Sequence, residues 1–188
     1  MAKRARVSDT LTGGTKDVNP QYLRGSITLS AANTVTQAIV GTPIVRVGPA
    51  TGNSAIIMEL ISLWVNFPAL DLDAAAATNR GAQFSMSTST SPTAITLLSD
   101  ASNLAFMQHT VRNAFTAAGT GTLDSNDDPH YWSFTDGAGH GILVATDNIF
   151  FQASTTGYNA AVAFEFKLSY RFKKVSLVEY IGIVQSQE

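Results

Sequence analysis

The residues best suited to chemistry lie in one polar stretch, DSNDDPH at positions 124–130, where three aspartates stand close to His130. Imidazole nitrogens and carboxylate oxygens are common metal ligands. The spacing matches neither an EF-hand loop nor the HExxH pattern, and Asp, Asn and Pro are ordinary turn formers. The sequence therefore predicts a surface loop without a metal site, and a metal-dependent hydrolase using His130 is kept only as an alternative hypothesis.

Other catalytic arrangements have even less support in the sequence. Asp71 and Asp73 flank Leu72, but paired carboxylates act as acid and base only when both line one cleft. The chain has no cysteine nucleophile and no GxSxG elbow. The string GAGHG at residues 137–141 has no nucleophile and lacks the following helix that a phosphate-binding loop needs. We therefore predict no catalytic residue and no cofactor, and we predict that the protein is not an enzyme.

Aromatic side chains offer a second, non-catalytic alternative. Tyr131 and Trp132 follow the DSNDD stretch, and Trp64 lies in an apolar segment. Such rings can stack on sugars, but aromatics at strand spacing more often belong to the core. A carbohydrate-binding module remains the alternative function, and it predicts a monomer or a small oligomer.

The amino terminus is basic, with Lys3, Arg4 and Arg6 within the first six residues. Residues 8–21 are polar and contain Gly13 and Gly14, which is typical of an extended arm. We predict an arm over residues 1–21 and one domain over residues 22–188. Positive charges on such an arm favour contact with nucleic-acid phosphates, so Lys3, Arg4 and Arg6 are the candidate nucleic-acid-binding residues.

The composition favours self-association. Charged residues make up only 14% of the 188 residues, whereas a soluble domain carries about 25%. Interface cores are depleted of charge, so we expect other copies of the chain to cover much of the surface. The basic start lacks the apolar region of a secretory signal, and no apolar run is long enough to span a membrane, so no membrane partner is predicted.

The elements that must position these residues are mostly strands. Residues 162–172 alternate strictly between apolar and polar, which predicts a long strand with one face in the core. Ser54 to Phe67 predicts a buried strand, and Asp100 to Gln108 a short helix capped by Ser99. Leu177 to Val184 predicts a final short strand. Further strand candidates are residues 23–29, 35–47 with a break at Pro43, 81–90, HYWSF, GILVA and NIFFQAS.

This series of strands has no alternating helices, which favours a sandwich or barrel. The predicted fold is all-β: a single jelly-roll antiparallel sandwich with long surface loops, including residues 116–130, and at most one or two short helices.

Three strings carry a resemblance to a known family: TGGTKDVNPQ at 12–21, ATDNIFFQAS at 145–154 and YRFKKVSLVEYIGIVQSQ at 170–187. With these, the chain resembles the capsid proteins of circovirus-like circular Rep-encoding single-stranded DNA (CRESS-DNA) viruses. The resemblance implies a jelly-roll coat subunit of the virion. It also implies that about sixty copies self-assemble into a T=1 icosahedral shell around circular single-stranded DNA.

The sequence departs from that family in its arm. Circovirus arms are long and arginine-rich, whereas this one has only Lys3, Arg4 and Arg6. Sixty such arms supply about 180 charges against a genome on the order of a thousand phosphates or more. The arm is therefore expected to tether nucleic acid without neutralising it. Further basic residues that the resemblance suggests for the inner surface are Lys16, Arg24, Arg171, Lys173 and Lys174.

Overall fold

The computed structural model describes residues 19–29, 35–42, 45–47, 54–68, 79–91, 93–112, 130–158 and 161–187. Three parts of the chain lie outside the described residues: residues 1–18 of the predicted arm, with Lys3, Arg4, Arg6 and Lys16; the pair Asp71 and Asp73; and residues 124–129. Residues 19–21 of the predicted arm are described, and Gln21 already belongs to the first strand. The described part contains ten strands and one helix: β1 (Gln21–Leu29), β2 (Val35–Gly41), β3 (Val45–Val47), β4 (Ser54–Asn66), β5 (Asn79–Ser87), β6 (Asn103–Arg112), β7 (His130–Ser133), β8 (Ile142–Val144), β9 (Asn148–Thr156), β10 (Val162–Ser176) and α1 (Leu177–Gln187).

The strands form two antiparallel sheets. The six-stranded sheet has the order β1-β10-β4, and β3, β8 and β7 pair in turn along the free edge of β4. The four-stranded sheet has the order β2-β9-β5-β6. Chain-adjacent strands β1 and β2, and β9 and β10, therefore lie in different sheets. This is the jelly-roll sandwich that the sequence predicted.

Strands β4 and β10 confirm the two strands that the sequence predicted for Ser54 to Phe67 and for residues 162–172. Strand β10 pairs with β4 over almost its whole length, with one bulge at Ser169/Tyr170. Phe164, Phe166 and Leu168 are buried in the core between the sheets, while the odd-numbered residues of β10 point outward, as strand alternation requires.

Phenylalanines dominate the core between the sheets. Phe151 of the four-stranded sheet stacks on Phe166 of the six-stranded sheet with ring centroids 4.2 Å apart, and Phe84 lies 6.2 Å from the same ring. Gly25 leaves room for this ring, because a Cβ there would lie 2.5 Å from Phe166 Cζ. Aromatic burial of this kind contributes several kcal/mol for each ring.

The helix predicted for Asp100 to Gln108 is wrong. The Asp100 carboxylate accepts hydrogen bonds from the Ser102 N–H at 2.9 Å and the Ser102 hydroxyl at 2.7 Å, and this local turn replaces a first helical turn capped by Ser99. Strand β6 then begins at Asn103 and places Ala105 and Met107 in the core against β5. Pairing with β5 outweighed the helical propensity of Leu, Ala and Met.

The short strand predicted for Leu177 to Val184 is also wrong, because this segment forms α1. Ser176 caps the helix by accepting a hydrogen bond from the Glu179 N–H at 3.2 Å, which is the capping pattern S-x-x-E. Tyr180 is buried and packs with Ile183 and Val184 against Ile57 and Val175 at one end of the six-stranded sheet. No helix in the described ranges is long and apolar enough to cross a membrane.

Candidate nucleic-acid interface

The outer face of the six-stranded sheet, where α1 does not cover it, carries a cluster of charged and aromatic side chains. We call it the charged face. Its residues are Tyr22, Arg24 and Ser26 of β1, Glu165, Lys167, Ser169, Arg171 and Lys173 of β10, Glu59, Ser62, Trp64 and Asn66 of β4, and Tyr131 and Ser133 of β7. Four basic and two acidic side chains give this face a charge of +2, although the whole chain carries −2.

One transverse row of side chains crosses the charged face from strand to strand. Arg24, Lys167, Trp64 and Tyr131 are direct register partners in β1, β10, β4 and β7. The ammonium of Lys167 lies 5.0 Å from the Trp64 ring centroid and 4.3 Å from the ring centroid of Tyr22, its diagonal neighbour. Trp64 and Tyr131 have ring centroids 5.0 Å apart. The row thus combines two cations with two aromatic rings, and one of the cations, Lys167, is in contact with aromatic rings.

The row borders a groove of about 500 Å³ whose lining includes Arg24, Asn66, Trp64, Glu165 and Lys167. This volume lies within the range of about 300–1,000 Å³ that is usual for ligand sites. No carboxylate of the described residues forms a salt bridge with Arg24 or Lys167, although Glu165 lines the same groove. Like charges directly opposite each other in a sheet are destabilising, whereas the contacts of Lys167 with the rings of Tyr22 and Trp64 are stabilising.

The other cations of the charged face hold a buried carboxylate. The Glu59 side chain is only 1% exposed; Arg171 Nε donates to its Oε2, and Lys173 Nζ lies 3.8 Å from Oε1. The backbone N–H of Gly141 donates to Oε1 at 2.9 Å. Burial alone would raise the pKa of Glu59, but the hydrogen bonds from Arg171 and Gly141 and the two positive charges together lower it. Glu59 is therefore a buried carboxylate whose negative charge is stabilised by hydrogen bonds and by two nearby cations.

Glu59 and its partner Arg171 also hold the turn that contains the GAGHG string. Gly141 passes so close to β4 that a Cβ would lie 1.9 Å from the Leu60 carbonyl oxygen, and Arg171 Nη2 donates to the Gly139 carbonyl at 3.0 Å. Within the turn, Asp136 accepts a hydrogen bond from the His140 N–H at 2.8 Å, the main cause of the lowered pKa of its carboxyl. The string acts in the structure as a turn tied to the charged face.

The outer face of the four-stranded sheet is different, and we call it the neutral face. It presents Val35, Gln37, Ile39, Gln83, Ser85, Phe106, Gln108, Thr110, Phe150, Gln152, Ser154 and Thr156. None of these side chains is charged. Ser91 and Thr96 lie over its centre, where the fully buried Gln152 accepts hydrogen bonds from Ser85 Oγ, Thr96 N and Thr96 Oγ1, each at 2.8 Å.

The structure tests the residues that the sequence suggested as a metal site and as a sugar-stacking platform. His130 is exposed, and no group of three metal-ligating side chains occurs among the described residues. Tyr131 and Trp132 are neighbours in a strand and so point to opposite faces: Tyr131 is 55% exposed on the charged face, whereas Trp132 packs against the core. These two rings therefore do not form one sugar-stacking platform.

Of the basic residues suggested for an inner surface, Arg24, Arg171 and Lys173 share the charged face. Lys174 is exposed on the opposite side of β10. Sequence reasoning placed Lys167 on the polar side of its strand but named neither Lys167 nor Tyr22 as a binding residue, and it favoured a core position for Trp64. Strand alternation in β10 predicts the outward direction of Lys167, but only the register with β1 and β4 brings the rings to it.

The fold is similar to that of viral capsid proteins. The chain matches VP1 of Trichodysplasia spinulosa-associated polyomavirus in complex with GM1 oligosaccharide, with 10% identity and a TM-score of 0.54 over 86% of this chain and 96% of that one. It also matches a point mutant of the unassembled Washington University polyomavirus VP1 pentamer, with 10% identity and a TM-score of 0.51 over 86% and 95% of the two chains. No protein-family model matches the chain, and no curated protein matches it significantly. At this identity, the similarity establishes a shared jelly-roll fold.

Proposed function

We propose that this chain is the coat subunit of a small virus, and that its copies self-assemble into a closed icosahedral shell around single-stranded DNA. The observation that carries the proposal is the similarity to VP1 capsid proteins, which spans 86% of this chain and nearly the whole of the matched VP1 chain. The resemblance to CRESS-DNA virus capsid proteins supplies the finer part, namely circular single-stranded DNA and about sixty copies.

The distribution of charge supports the same proposal. Only 14% of the residues are charged, and four cations are gathered on one face of the sandwich while the described side chains of the opposite face carry none. A shell subunit needs such asymmetry, because one surface meets the polyanionic genome and others meet neighbouring subunits. The Washington University polyomavirus VP1 is a pentamer in its structure, and self-association of this kind is proposed here as well.

Size-exclusion chromatography followed by negative-stain electron microscopy of the full-length chain tests the proposal. A domain of this length is roughly 40 Å across, so about sixty copies close a shell about 20 nm in diameter. We expect particles of that size in the void fraction. A stable monomer at high protein concentration, across pH and salt, would contradict the proposal.

The amino-terminal arm is proposed to contact the packaged nucleic acid through Lys3, Arg4 and Arg6. Deleting residues 2–6 removes three cations, so the nucleic acid that co-purifies with particles should decrease while particles still form. The salt dependence of binding should weaken by up to about three counterions per subunit. Lost particles with unchanged nucleic-acid content per protein would assign the arm to subunit contacts instead.

A further inference from the structure

We propose that the transverse row and the groove beside it bind single-stranded nucleic acid, with phosphates on Arg24 and Lys167 and bases stacked on Tyr22 and Tyr131. The two tyrosine rings lie outside the groove lining and contact its residues Lys167 and Trp64, respectively. The inference rests on the proposed function, because it assigns the charged face to the inside of the shell. It adds a site on the folded domain to the contacts of the arm.

The case for phosphate rests on charge. Arg24 and Lys167 lie directly opposite each other, and neither is paired with a carboxylate of the described residues. Among the described residues that line the groove, Arg24 and Lys167 are positively charged and Glu165 alone is negatively charged. A bound phosphate would relieve the repulsion between the two cations, and the guanidinium of Arg24 suits a phosphate geometrically.

The case for bases rests on the rings that flank the cations. Tyr22 is 56% exposed and Tyr131 is 55% exposed, although both side chains are large and largely apolar. Lys167 contacts the ring of Tyr22, and through Trp64 the same row reaches Tyr131. Exposed rings beside backbone-binding cations are the arrangement by which proteins hold single strands without sequence preference.

A second copy of the chain is the competing occupant, and the experiment below separates it from nucleic acid.

The test measures binding of a fluorescein-labelled oligothymidylate to the full-length chain by fluorescence anisotropy over a range of salt. Arg24→Gln with Lys167→Gln should lower the slope of log K against log salt by about 1.4, since each phosphate contact in a single strand contributes about 0.7. Lys174→Gln is the matched control: it removes the same charge from the same strand, but on the opposite side. Its slope should equal that of wild type, whereas Lys167→Gln alone should lower the slope by about 0.7.

The stacking component is tested with ring substitutions and with an abasic oligomer of the same length. Tyr131→Leu should weaken oligothymidylate binding about five- to 100-fold, whereas Tyr131→Phe should bind nearly as wild type. Neither change should affect the abasic oligomer. Quenching of Trp64 fluorescence by the oligonucleotide, measured in a Trp132→Phe background, gives an independent readout at the site.

The outcomes separate the site from the proposed function. Equal losses for Lys167→Gln and Lys174→Gln, or unchanged binding in the double variant, would overturn the site even if electron microscopy shows shells. Loss of particles with unchanged oligonucleotide binding would make this face a subunit contact and also overturn it. Localised binding without any particles would support the site and count against the shell.

Discussion

The two outer faces of the sandwich use polar side chains in opposite ways. On the neutral face, polar groups satisfy one another: Gln152 accepts from Ser85 and Thr96 and donates to the Ser91 carbonyl at 2.8 Å. On the charged face, Arg24 and Lys167 lie side by side without an anionic partner among the described residues. Of the charged side chains described on this face, only Glu59 is fully buried. The buried polar groups at the centre of the neutral face thus hydrogen-bond to one another, whereas the charged face has a net positive charge.

This difference is what the proposed contact with a polyanion requires of a chain with few charged residues. Of the Lys and Arg side chains that the structure describes, Arg24, Lys167, Arg171 and Lys173 lie on the charged face and Lys174 does not. Structural and binding roles then divide within a single face. Arg171 and Lys173 contact the buried Glu59, whereas Arg24 and Lys167, which pair with no carboxylate of the described residues, are the cations proposed to bind nucleic acid.

The largest expected change in the free energy of unfolding comes from breaking the ion pair between Arg171 and the buried Glu59. Arg171→Met leaves the Glu59 carboxylate buried with only Lys173 near it, so we expect a loss of about 3 kcal/mol in the free energy of unfolding. Urea denaturation measures this. The double variant with Glu59→Gln should recover part of the loss, because no buried charge is then left unpaired. A loss below about 1 kcal/mol would mean that Glu59 is not held as described.

The neutral face should be sensitive at its centre and tolerant elsewhere. Gln152→Leu leaves the buried hydroxyls of Ser85 and Thr96 without their acceptor, and we expect a cost of about 2 kcal/mol. Gln108→Leu, at an exposed site on the same face, should change the free energy of unfolding by less than about 0.5 kcal/mol. Equal effects at both positions in urea denaturation would remove the distinction between the covered centre and the open surface.

Acid should act on the charged face more than on the neutral face. The pKa of Glu59 is lowered in the folded chain, so its contribution to stability is complete above its ordinary pKa of 4.5 and is lost as pH falls through the lowered value. The free energy of unfolding should therefore decrease below about pH 4.5. Thermal denaturation of Glu59→Gln across this range should show a shallower dependence on pH than wild type does. Parallel curves would show that other groups dominate.

The smallest effect has the opposite sign. Arg24→Gln removes one of two directly opposed cations, so it should stabilise the fold by up to about 0.5 kcal/mol. Gln37→Lys on the neutral face, which opposes Gln152 in the register, offers no such relief and should give no stabilisation. If Arg24→Gln destabilises the fold by more than about 1 kcal/mol, Arg24 has a structural role and the charged face is less free to bind than proposed.

The alternation of residues 162–172 was sufficient to predict β10 and its buried side, because a period of two has one physical meaning in a long segment. Two predictions were wrong, for different reasons. Residues 103–108 favour a helix locally but pair with β5, and residues 177–184 are rich in β-branched residues but begin a helix capped by Ser176. Tertiary pairing decided the first, and an overlooked capping pattern decided the second.

The site was only partly predictable. Sequence reasoning named Arg24, Arg171 and Lys173 but gave them no face, and it did not distinguish binding cations from those that hold Glu59. That distinction depends on cross-strand register, which places Lys167 between Arg24 and Trp64 and cannot be derived from one strand at a time. The candidate residues Lys3, Arg4 and Arg6 remain predictions.

The most direct test of the central claim is a cryo-electron microscopy reconstruction of the particles formed by the full-length chain. We expect a closed shell in which the six-stranded sheet faces the lumen and the groove beside Arg24, Lys167, Tyr22 and Tyr131 contains density for nucleic acid. A shell in which the four-stranded sheet faces the lumen, or a protein that forms no shell, would contradict the account.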